Sequence, residues 1–463
     1  MGSPPLEPLF TNVVLSIVEP LEKMAHVESI DPTDFDMAML DAYVPTMFTY
    51  RLAENSDAVY VQAVSRIKEG LRKVLVPFFP WAGRWVGTPG GMQRQLLCND
   101  KGVPFIEAYV DRNMDSVIGF SVDFQPVKEL QGWKFLSMET TTLQQMQPDG
   151  LPGVFVQVTR FKCGGLVVAA TFSHMLADGK SFLDFMTAWS DLSRTNKTGK
   201  ILDHNRGAVQ PSTPRPLPSS DIANCAKTAE GQMKVYEVNA SVIESLKRQV
   251  KESAEGAYVS TNDCIYALIW KSVASLPFSS NQGKKICMAT AVEGRNRFYD
   301  PPVPNLLGNI IASMTPPKIS NTELLNMPLS LIASKIREKT NATARESWLS
   351  PESQEEFMEI MNSDRVISWA MSSWSAFPMY SINFGFGNPM FVTGMNSVTI
   401  RGHCGGVVMV SPPTPGVSSS AACLAITVKD AQQLEALERT PDFLPFFLPK
   451  ERVESQTAGH CSR

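Results

Sequence analysis

TFSHMLADGK occupies residues 171–180, where the spacing of apolar residues changes from that of strands to that of a helix. Residues 154–161 and 165–172 are β-rich and are joined through Lys-Cys-Gly-Gly, which predicts a hairpin with a glycine-assisted turn. Over 179–194 the large apolar residues recur at helical spacing, which predicts a helix. His174 is therefore expected in a loop between a strand and a helix.

A strand-to-helix loop holds a side chain rigidly at the edge of a core while its tip faces a cleft. A neutral imidazole at His174 can take a proton from a hydroxyl or an amine. The alternative is a histidine whose hydrogen bonds are satisfied within the fold, which is the more frequent case for a lone histidine. A catalytic role for His174 therefore depends on the residues around it.

Asp178 and Gly179 follow His174 in the pattern His-x-x-x-Asp-Gly, and Phe185 and Trp189 form Phe-x-x-x-Trp after it. Together with the preceding hairpin, this pattern resembles the signature of the BAHD family, plant-type acyltransferases that use coenzyme A thioesters. The resemblance runs in the expected order from about residue 44 to about residue 428. It includes Val-Pro-x-x-Phe-x-Tyr at 44–50, the proline-and-glycine turn at 77–84, the Arg-x-Arg, Pro-Pro and Gly-Asn series at 295–309, and Ser-Ser-Trp at 372–374.

The resemblance implies an α/β fold of two chloramphenicol acetyltransferase-like domains, with mixed sheets flanked by helices and a channel between the domains. The length of 463 residues independently favours two domains over one core. Residues 195–223 are polar and rich in proline, which indicates a long crossover linker. We predict an N-terminal domain at 1–194 and a C-terminal domain at 224–463, with some exchange of segments between them.

Charge and cysteine usage exclude several classes of function. The 42 Lys and Arg residues against 46 Asp and Glu give a net charge of -4, so no global field recruits nucleic acid or an anionic membrane. The eight cysteines show no Cys-x-x-Cys pair and no metal-ligand spacing, so we expect a reducing compartment and no structural metal. No secretory pattern and no apolar run of roughly 18 residues is present. We expect a cytoplasmic monomer.

For the chemistry, the resemblance implies direct acyl transfer from a coenzyme A thioester to a hydroxyl or amine acceptor, with His174 as the general base. A thioester is already activated, so coenzyme A is a co-substrate and no permanently bound cofactor is expected. Ser372 matches a family position whose hydroxyl lies near the oxyanion, and Trp374 is expected to form a wall of the acceptor pocket. The alternative for both is a buried strand with a satisfied hydroxyl. A Ser-His-Asp hydrolase is less favoured, because no Gly-x-Ser-x-Gly elbow precedes a helix.

Two arginines are candidates for supporting the site. A buried guanidinium needs a carboxylate partner, and Arg295 and Arg297 belong to one of the family-like segments. The resemblance implies that Asp178 is this partner. Asp178 is then a brace for the loop and not a member of a charge relay.

Coenzyme A is expected to meet the C-terminal domain. Lys251 lies on the basic face of a predicted helix whose apolar face is Val242, Leu246 and Val250, and Ser260 and Thr261 precede a second helix predicted over 264–273. Positive charge close to a free helix N-terminus can bind phosphates. The alternative is a solvated basic face.

Asn-Phe-Gly-Phe-Gly at 383–387 departs from the family's Asp-Phe-Gly-Trp-Gly, because Asn383 lacks the charge and Phe386 replaces the indole. We expect Asn383, Gly385 and Gly387 to support the channel away from the reacting atoms. The changes should therefore cost stability or coenzyme A affinity before chemistry. They also motivate an alternative hypothesis, a catalytically silent partner of lipid-elongation enzymes, against which the intact motif at His174 argues.

The acceptor is less well defined. Hydroxycinnamoyltransferases that use shikimate or quinate carry an arginine before Ser-Trp for the acceptor's carboxylate, and Arg365 is not at the matching spacing. An acidic acceptor is therefore not implied. The hairpin and the segment at 44–50 resemble the hydroxycinnamoyl-transferring branch more than the acetylating branch, which favours a hydroxycinnamoyl donor.

Overall fold

The structure is a computed structural model that describes residues 11–24, 28–39, 43–87, 94–117, 150–200, 202–206, 232–253, 257–276, 285–343, 366–394, 404–428 and 431–448. Three features of the sequence lie outside the described residues: the proline-rich middle of the crossover, Arg365, and the polar tail beyond residue 451.

Strands and helices occur in short runs along the chain. The strands are β1 (Thr11–Val18), β2 (Glu28–Ile30), β3 (Tyr43–Arg51), β4 (Arg84–Val86), β5 (Gln95–Cys98), β6 (Val103–Val110), β7 (Leu151–Pro152), β8 (Val154–Phe161), β9 (Gly165–Ser173), β10 (Gln232–Asn239), β11 (Lys285–Glu293), β12 (Ile311–Met314), β13 (Val366–Ser373), β14 (Phe391–Gly394), β15 (Cys404–Ser411) and β16 (Ser420–Val428). The helices are α1 (Asp34–Ala38), α2 (Asp57–Val74), α3 (Met114–Val117), α4 (Gly179–Thr195), α5 (Ala240–Ser253), α6 (Thr261–Ala274), α7 (Asn321–Asn326), α8 (Leu329–Ala342) and α9 (Ala431–Glu438).

The first sheet has the order β1-β6-β8-β9-β3-β14 and contains the predicted hairpin. β8 and β9 pair antiparallel, and Gly164 in their turn has φ +80°, a backbone conformation that favours glycine. Almost every residue of both strands is buried, as expected for strands covered on both faces. The hairpin prediction is confirmed.

Helices α2 and α4 pack against each other beside this sheet. The indole Nε1 of Trp189 in α4 donates to the carbonyl of Ile67 in α2 at 2.9 Å, which joins the two helices. The predicted α4 is confirmed to within one residue. α2 begins at Asp57, because the Ser56 hydroxyl caps it by accepting from the amide of Val59.

The second sheet has the order β10-β16-β15-β13-β11-β12. It is mixed, since β13 pairs parallel with β11 and β15 whereas the other pairs are antiparallel. α5, α6 and α8 pack together and share a core with one face of this sheet. A smaller sheet, β2-β5-β4-β7, lies within the first half of the chain.

The strand β14 comes from the second half of the chain but pairs antiparallel with β3 in the first sheet. Phe384 and Val392 belong to the same core as Phe48 and Phe172 of that sheet. The exchange of segments between the two domains is still a prediction. The boundaries of the two domains remain a prediction.

None of the helices in the described ranges is long and apolar enough to cross a lipid bilayer.

Candidate active site

His174 lies directly after β9, and Asp178 is the N-cap of α4. The amide of Leu176 donates to the carbonyl of Ser173 at 2.9 Å, and the Asp178 Oδ1 accepts from the amide of Ser181 at 2.9 Å. The tight turn and the cap together hold the loop between strand and helix. His174 is half-buried, whereas Asp178 is buried.

The imidazole of His174 is held in one tautomer by Asn309. The Asn309 Nδ2 donates to the carbonyl of His174 at 2.6 Å and to the Asp36 Oδ1 at 2.9 Å, so both of its hydrogens face acceptors. This orientation turns the Asn309 Oδ1 toward the Nδ1 of His174, 3.2 Å away. Because an amide oxygen only accepts hydrogen bonds, Nδ1 carries the proton and Nε2 keeps its lone pair.

Burial lowers the pKa of His174 below its ordinary value, because a low-dielectric environment disfavours the imidazolium. The hydrogen bonds of the ring and the negative charges of Asp178 and Asp36 oppose this shift without reversing it. The ring is therefore neutral at pH 7, the state that a general base needs.

Asp178 is paired with Arg295 in a buried ion pair. The guanidinium Nη1 donates to Oδ2 at 2.7 Å and Nη2 to Oδ1 at 3.2 Å, and the amide of Ile310 donates to Oδ2 at 3.0 Å. Burial alone would raise the pKa of the Asp178 carboxyl, but Arg295 and the amides of Ser181 and Ile310 outweigh it, so this pKa lies below its ordinary value. Both carboxylate oxygens of Asp178 therefore accept hydrogen bonds from Arg295, the partner that the family resemblance implies.

The structure corrects the prediction that Arg297 supports the site. It is exposed, and its Nη1 donates to the carbonyl of Thr340 in α8 at 3.3 Å. Arg295 and Arg297 lie in a turn after β11, where the amide of Arg297 donates to the carbonyl of Gly294. The turn sends the two guanidinium groups to different places, so only Arg295 reaches Asp178.

Ser372 and Trp374 lie at the end of β13, where alternate residues face opposite sides of the sheet. Ser372 is opposite Met409 of β15. Met409 and Trp374 belong to the core of the first sheet, whereas Met371 and Val408 belong to the core beneath α6. Ser372 therefore faces the side of the second sheet that is turned toward the half containing His174.

Trp374 explains why residue 179 is glycine. A Cβ on Gly179 would lie 2.6 Å from Nε1 and 2.7 Å from Cε2 of Trp374, which is closer than real atoms pack. The ring also lies 6.1 Å, centroid to centroid, from that of Phe182 in α4. The first turn of α4 and the end of β13 are therefore in direct contact beside His174.

The loop at 383–387 is well satisfied despite its departures from the family pattern. The Asn383 Oδ1 accepts from the amide of Gly385 at 2.7 Å, and Arg66 of α2 donates to the Gly385 carbonyl at 2.8 Å. Phe386 packs edge-on against Tyr50 of β3 with centroids 5.0 Å apart. Gly385 and Gly387 have φ of +99° and +105°. The side-chain amide of Asn383 thus acts as the acceptor where the family pattern has the carboxylate of an aspartate. The loop supports α2 and β3.

The predicted coenzyme A residues are only partly brought together. Lys251 lines an open pocket of about 380 Å3 with Lys247, Arg248 and Tyr258. Ser260 is instead the N-cap of α6, where its hydroxyl accepts from the amide of Asp263. The helix therefore begins at Thr261, one turn earlier than predicted, because Ser260 supplies the cap.

A hydrogen bond joins the start of α6 to the segment that carries Ser372. The Ser373 hydroxyl donates to the Asn262 Oδ1 at 2.8 Å. Trp374, the residue after Ser373, lies against Gly179, so the start of α6 is connected through the end of β13 to the first turn of α4.

Comparison with known proteins agrees with this arrangement. The model of the Transferase family matches residues 14–440. The chain belongs to the BAHD family of acyltransferases. Shikimate O-hydroxycinnamoyltransferase of Nicotiana tabacum is 26% identical over 418 residues, covering 85% of this chain and 91% of that protein. Agmatine hydroxycinnamoyltransferase 1 of Oryza sativa subsp. japonica is 27% identical over 401 residues, covering 78% and 82%.

Among solved structures, vinorine synthase is similar with a TM-score of 0.72 and 18% identity, covering 96% of this chain and 100% of that one. This similarity confirms the α/β fold of mixed sheets flanked by helices that the BAHD resemblance implies. As a BAHD protein, the chain is an acyl-CoA-dependent acyltransferase.

Asn309 and Asp36 are not predicted as site residues from the sequence of this BAHD acyltransferase. Asn309 belongs to the family-like Gly-Asn pair, and the glycine before it, with φ +127°, signals an unusual turn there. Asp36 reads as an N-terminal helix residue, and it does form a capping box with Thr33. In the described residues no cluster of His, Cys, Asp and Glu has the arrangement of a metal site.

Proposed function

We propose that this BAHD acyltransferase moves an acyl group, of the hydroxycinnamoyl class, from a coenzyme A thioester to a hydroxyl or amine acceptor, with His174 as the general base. The observation that supports this role is the contact between Nδ1 of His174 and Oδ1 of Asn309. It leaves Nε2 as the only lone pair of the ring, on the side opposite the amide. Burial keeps that lone pair free of a proton at neutral pH.

The reaction proceeds within one complex of enzyme, donor and acceptor. Nε2 of His174 takes the proton of the acceptor's O–H or N–H as that atom attacks the thioester carbonyl. The tetrahedral intermediate then collapses, the C–S bond breaks, and the leaving thiolate receives the proton from the imidazolium. The products are an ester or amide and free coenzyme A, and no acyl group is carried by the protein.

The oxyanion of that intermediate needs a hydrogen-bond donor, and one such donor is worth about 3 kcal/mol. Ser372 is our candidate, because its register opposite Met409 turns it toward the half containing His174. Trp374 is the candidate wall of the acceptor pocket, because it packs on the first turn of α4. Asp178 holds the loop through Arg295 and takes no proton in the cycle.

The names of the two relatives indicate two chemical classes of acceptor: the hydroxyl of shikimate and the amine of agmatine. Both classes therefore enter the proposal. The decisive experiment incubates the purified protein with a hydroxycinnamoyl-CoA and a panel that contains shikimate, agmatine and neutral alcohols, and it measures the free thiol. Thiol release that requires an acceptor supports the proposal. No release from any pair would favour the silent-partner hypothesis.

A cytoplasmic monomer remains part of the proposal. Gel filtration of the purified protein tests the monomer, and a fluorescent fusion tests the location.

The pH profile of kcat/KM is the first prediction. His174 must be neutral to accept a proton, and its pKa lies below the ordinary value of about 6.5. We therefore expect kcat/KM to rise with pH through an acidic limb below about pH 6.5 and to stay flat above it. An acidic limb at or above neutral pH would contradict the burial argument.

The basic pocket supports a donor-binding role for Lys251 and gives the second prediction. Replacing Lys251 with methionine should raise the KM for acyl-CoA by about 1.4- to fivefold, because an exposed charge pair is worth roughly 0.2–1 kcal/mol. The KM for an acyl-pantetheine, which lacks the nucleotide phosphates, should not change. Lys197→Met, at an exposed lysine after α4, is the matched control. An equal effect on both donors would remove Lys251 from phosphate binding.

A further inference from the structure

The first part of the crossover is anchored to both halves of the protein. The amide of Asp203 donates to the carbonyl of Asn305 at 3.0 Å, and the amide of Leu307 donates to the carbonyl of Asp203 at 2.8 Å. The Nε2 of His204 lies 2.9 Å from the carbonyl oxygen of Pro77. Residues 202–206 therefore form a strap between the turn after α2 and the loop that carries Asn309.

Arg206 extends from this strap into the back of the active site. Its Nη1 donates to the Asp36 Oδ2 and its Nη2 to the carbonyl of Leu176, each at 2.6 Å. The side chains of Arg206 and Asp36 are 9% and 1% exposed. A Cβ on Gly308 would lie 3.3 Å from the Arg206 Cζ, so the guanidinium packs closely against the residue before Asn309. One side chain thus contacts three segments that surround His174.

Arg206 is connected to the imidazole through two further side chains. Asp36 accepts from Arg206 through Oδ2, and its Oδ1 accepts from the amide and the side chain of Asn309 at 3.2 and 2.9 Å. Asn309 in turn holds Nδ1 of His174. We propose that Arg206 is a positioning residue for His174, acting through Asp36 and Asn309 to fix the ring's tautomer and to offset the negative charge behind it. This inference rests on the proposed role of His174 as the base.

The charges around the ring explain why the offset matters. The negative charges of two carboxylates act on His174, and each carboxylate is paired with a guanidinium. Asp178 is paired with Arg295, which also contacts Glu293. Asp36 is paired with Arg206, and His204 lies near that guanidinium. Negative charge at Asp36 favours the imidazolium. Without Arg206 that charge is uncompensated, so the base is protonated at a higher pH. Without Asp36 the cation remains, and protonation requires a lower pH.

The experiment measures the pKa and tautomer of His174 directly, by NMR of the full protein with labelled histidines, and in parallel the acidic limb of kcat/KM. The resonance is assigned with His174→Gln. We expect Arg206→Met to raise the pKa by about one unit and Asp36→Asn to lower it by a similar amount. The double variant should return it close to the wild-type value. Arg206→Lys keeps the charge and should leave the pKa unchanged.

Arg297→Met is the matched control, because Arg297 is exposed and donates to Thr340 in α8. It should leave both the pKa and the acidic limb unchanged. A pKa of His174 that stays the same or falls in Arg206→Met overturns the proposal. A pKa of His174 that rises in Asp36→Asn, as it is expected to do in Arg206→Met, also overturns it. If Arg206→Met fails to fold, the pair Arg206→Lys and Asp36→Asn still tests the proposal: it requires an unchanged pKa of His174 in Arg206→Lys and a lowered pKa in Asp36→Asn, and any other combination overturns it. If the NMR shifts occur while the acidic limb of kcat/KM does not follow them, the positioning stands and the general-base role of His174 fails.

Discussion

Replacing His174 with alanine is expected to lower kcat/KM by about 10²- to 10⁴-fold for every donor and acceptor pair that the wild-type enzyme uses. The loss arises because the attacking hydroxyl or amine must then give its proton to water. It should appear in kcat, since Nε2 acts on the proton as the bond forms and not on the bound substrates. The residual rate comes from placing the two substrates side by side, which the substitution leaves intact.

The measurement is thiol release under saturating donor, together with the affinity for acyl-CoA and the Tm of each variant. His174→Ala should keep the donor affinity, and its residual activity should lose the acidic limb, because the group that produces the limb is gone. Asn309→Ala provides the graded comparison: the base remains but its tautomer and orientation are released, so the loss should be smaller and the limb should survive. Wild-type turnover in His174→Ala would remove the imidazole from the reaction.

The site could be predicted from the sequence where its determinants are local. The hairpin β8–β9, the turn at Gly164 and the apolar spacing of α4 are all contained within about forty residues, and they place His174 after a strand and before a helix. Turn chemistry and periodicity are short-range signals, so a single sequence expresses them fully. The pairing of Asp178 with Arg295 came instead from the family resemblance.

What could not be predicted is convergence from distant parts of the chain. Asp36, Arg206 and Asn309 meet behind His174, yet 273 residues separate Asp36 from Asn309. Each residue alone reads as an ordinary polar side chain, because burial and partner are properties of the folded chain. The same applies to β14, whose four residues carry no sign that they complete the first sheet. The polar, proline-rich composition of residues 195–223 predicts a linker. Composition carries no information on the contacts that anchor residues 202–206.

The largest expected effect on stability comes from the pair Asp178 and Arg295. The Arg295 and Asp178 side chains are 0% and 2% exposed, so Arg295→Met leaves a buried carboxylate without its cation. We expect a loss of about 3–5 kcal/mol in the free energy of unfolding at pH 7, measured by urea denaturation. Arg194→Met is the matched control. Arg194 and Asp191 form an exposed pair at 3.3 Å, and its loss should cost less than about 1 kcal/mol.

The pH dependence of this loss separates a charge effect from a packing effect. In the wild type the pKa of Asp178 is depressed, so its contribution to stability is present above the unfolded value of about 3.9 and is lost as pH falls through the folded value. In Arg295→Met, burial acts without the guanidinium and raises that pKa above the unfolded value. The carboxyl then takes up a proton on folding, and the deficit relative to wild type should shrink as the pH is lowered from 7 toward about 5.

The double variant Asp178→Asn with Arg295→Met should be less destabilised than the sum of the single variants, because neither partner is left as an uncompensated charge. A deficit that is independent of pH, with additive single variants, would mean that Arg295 supports the loop by packing alone.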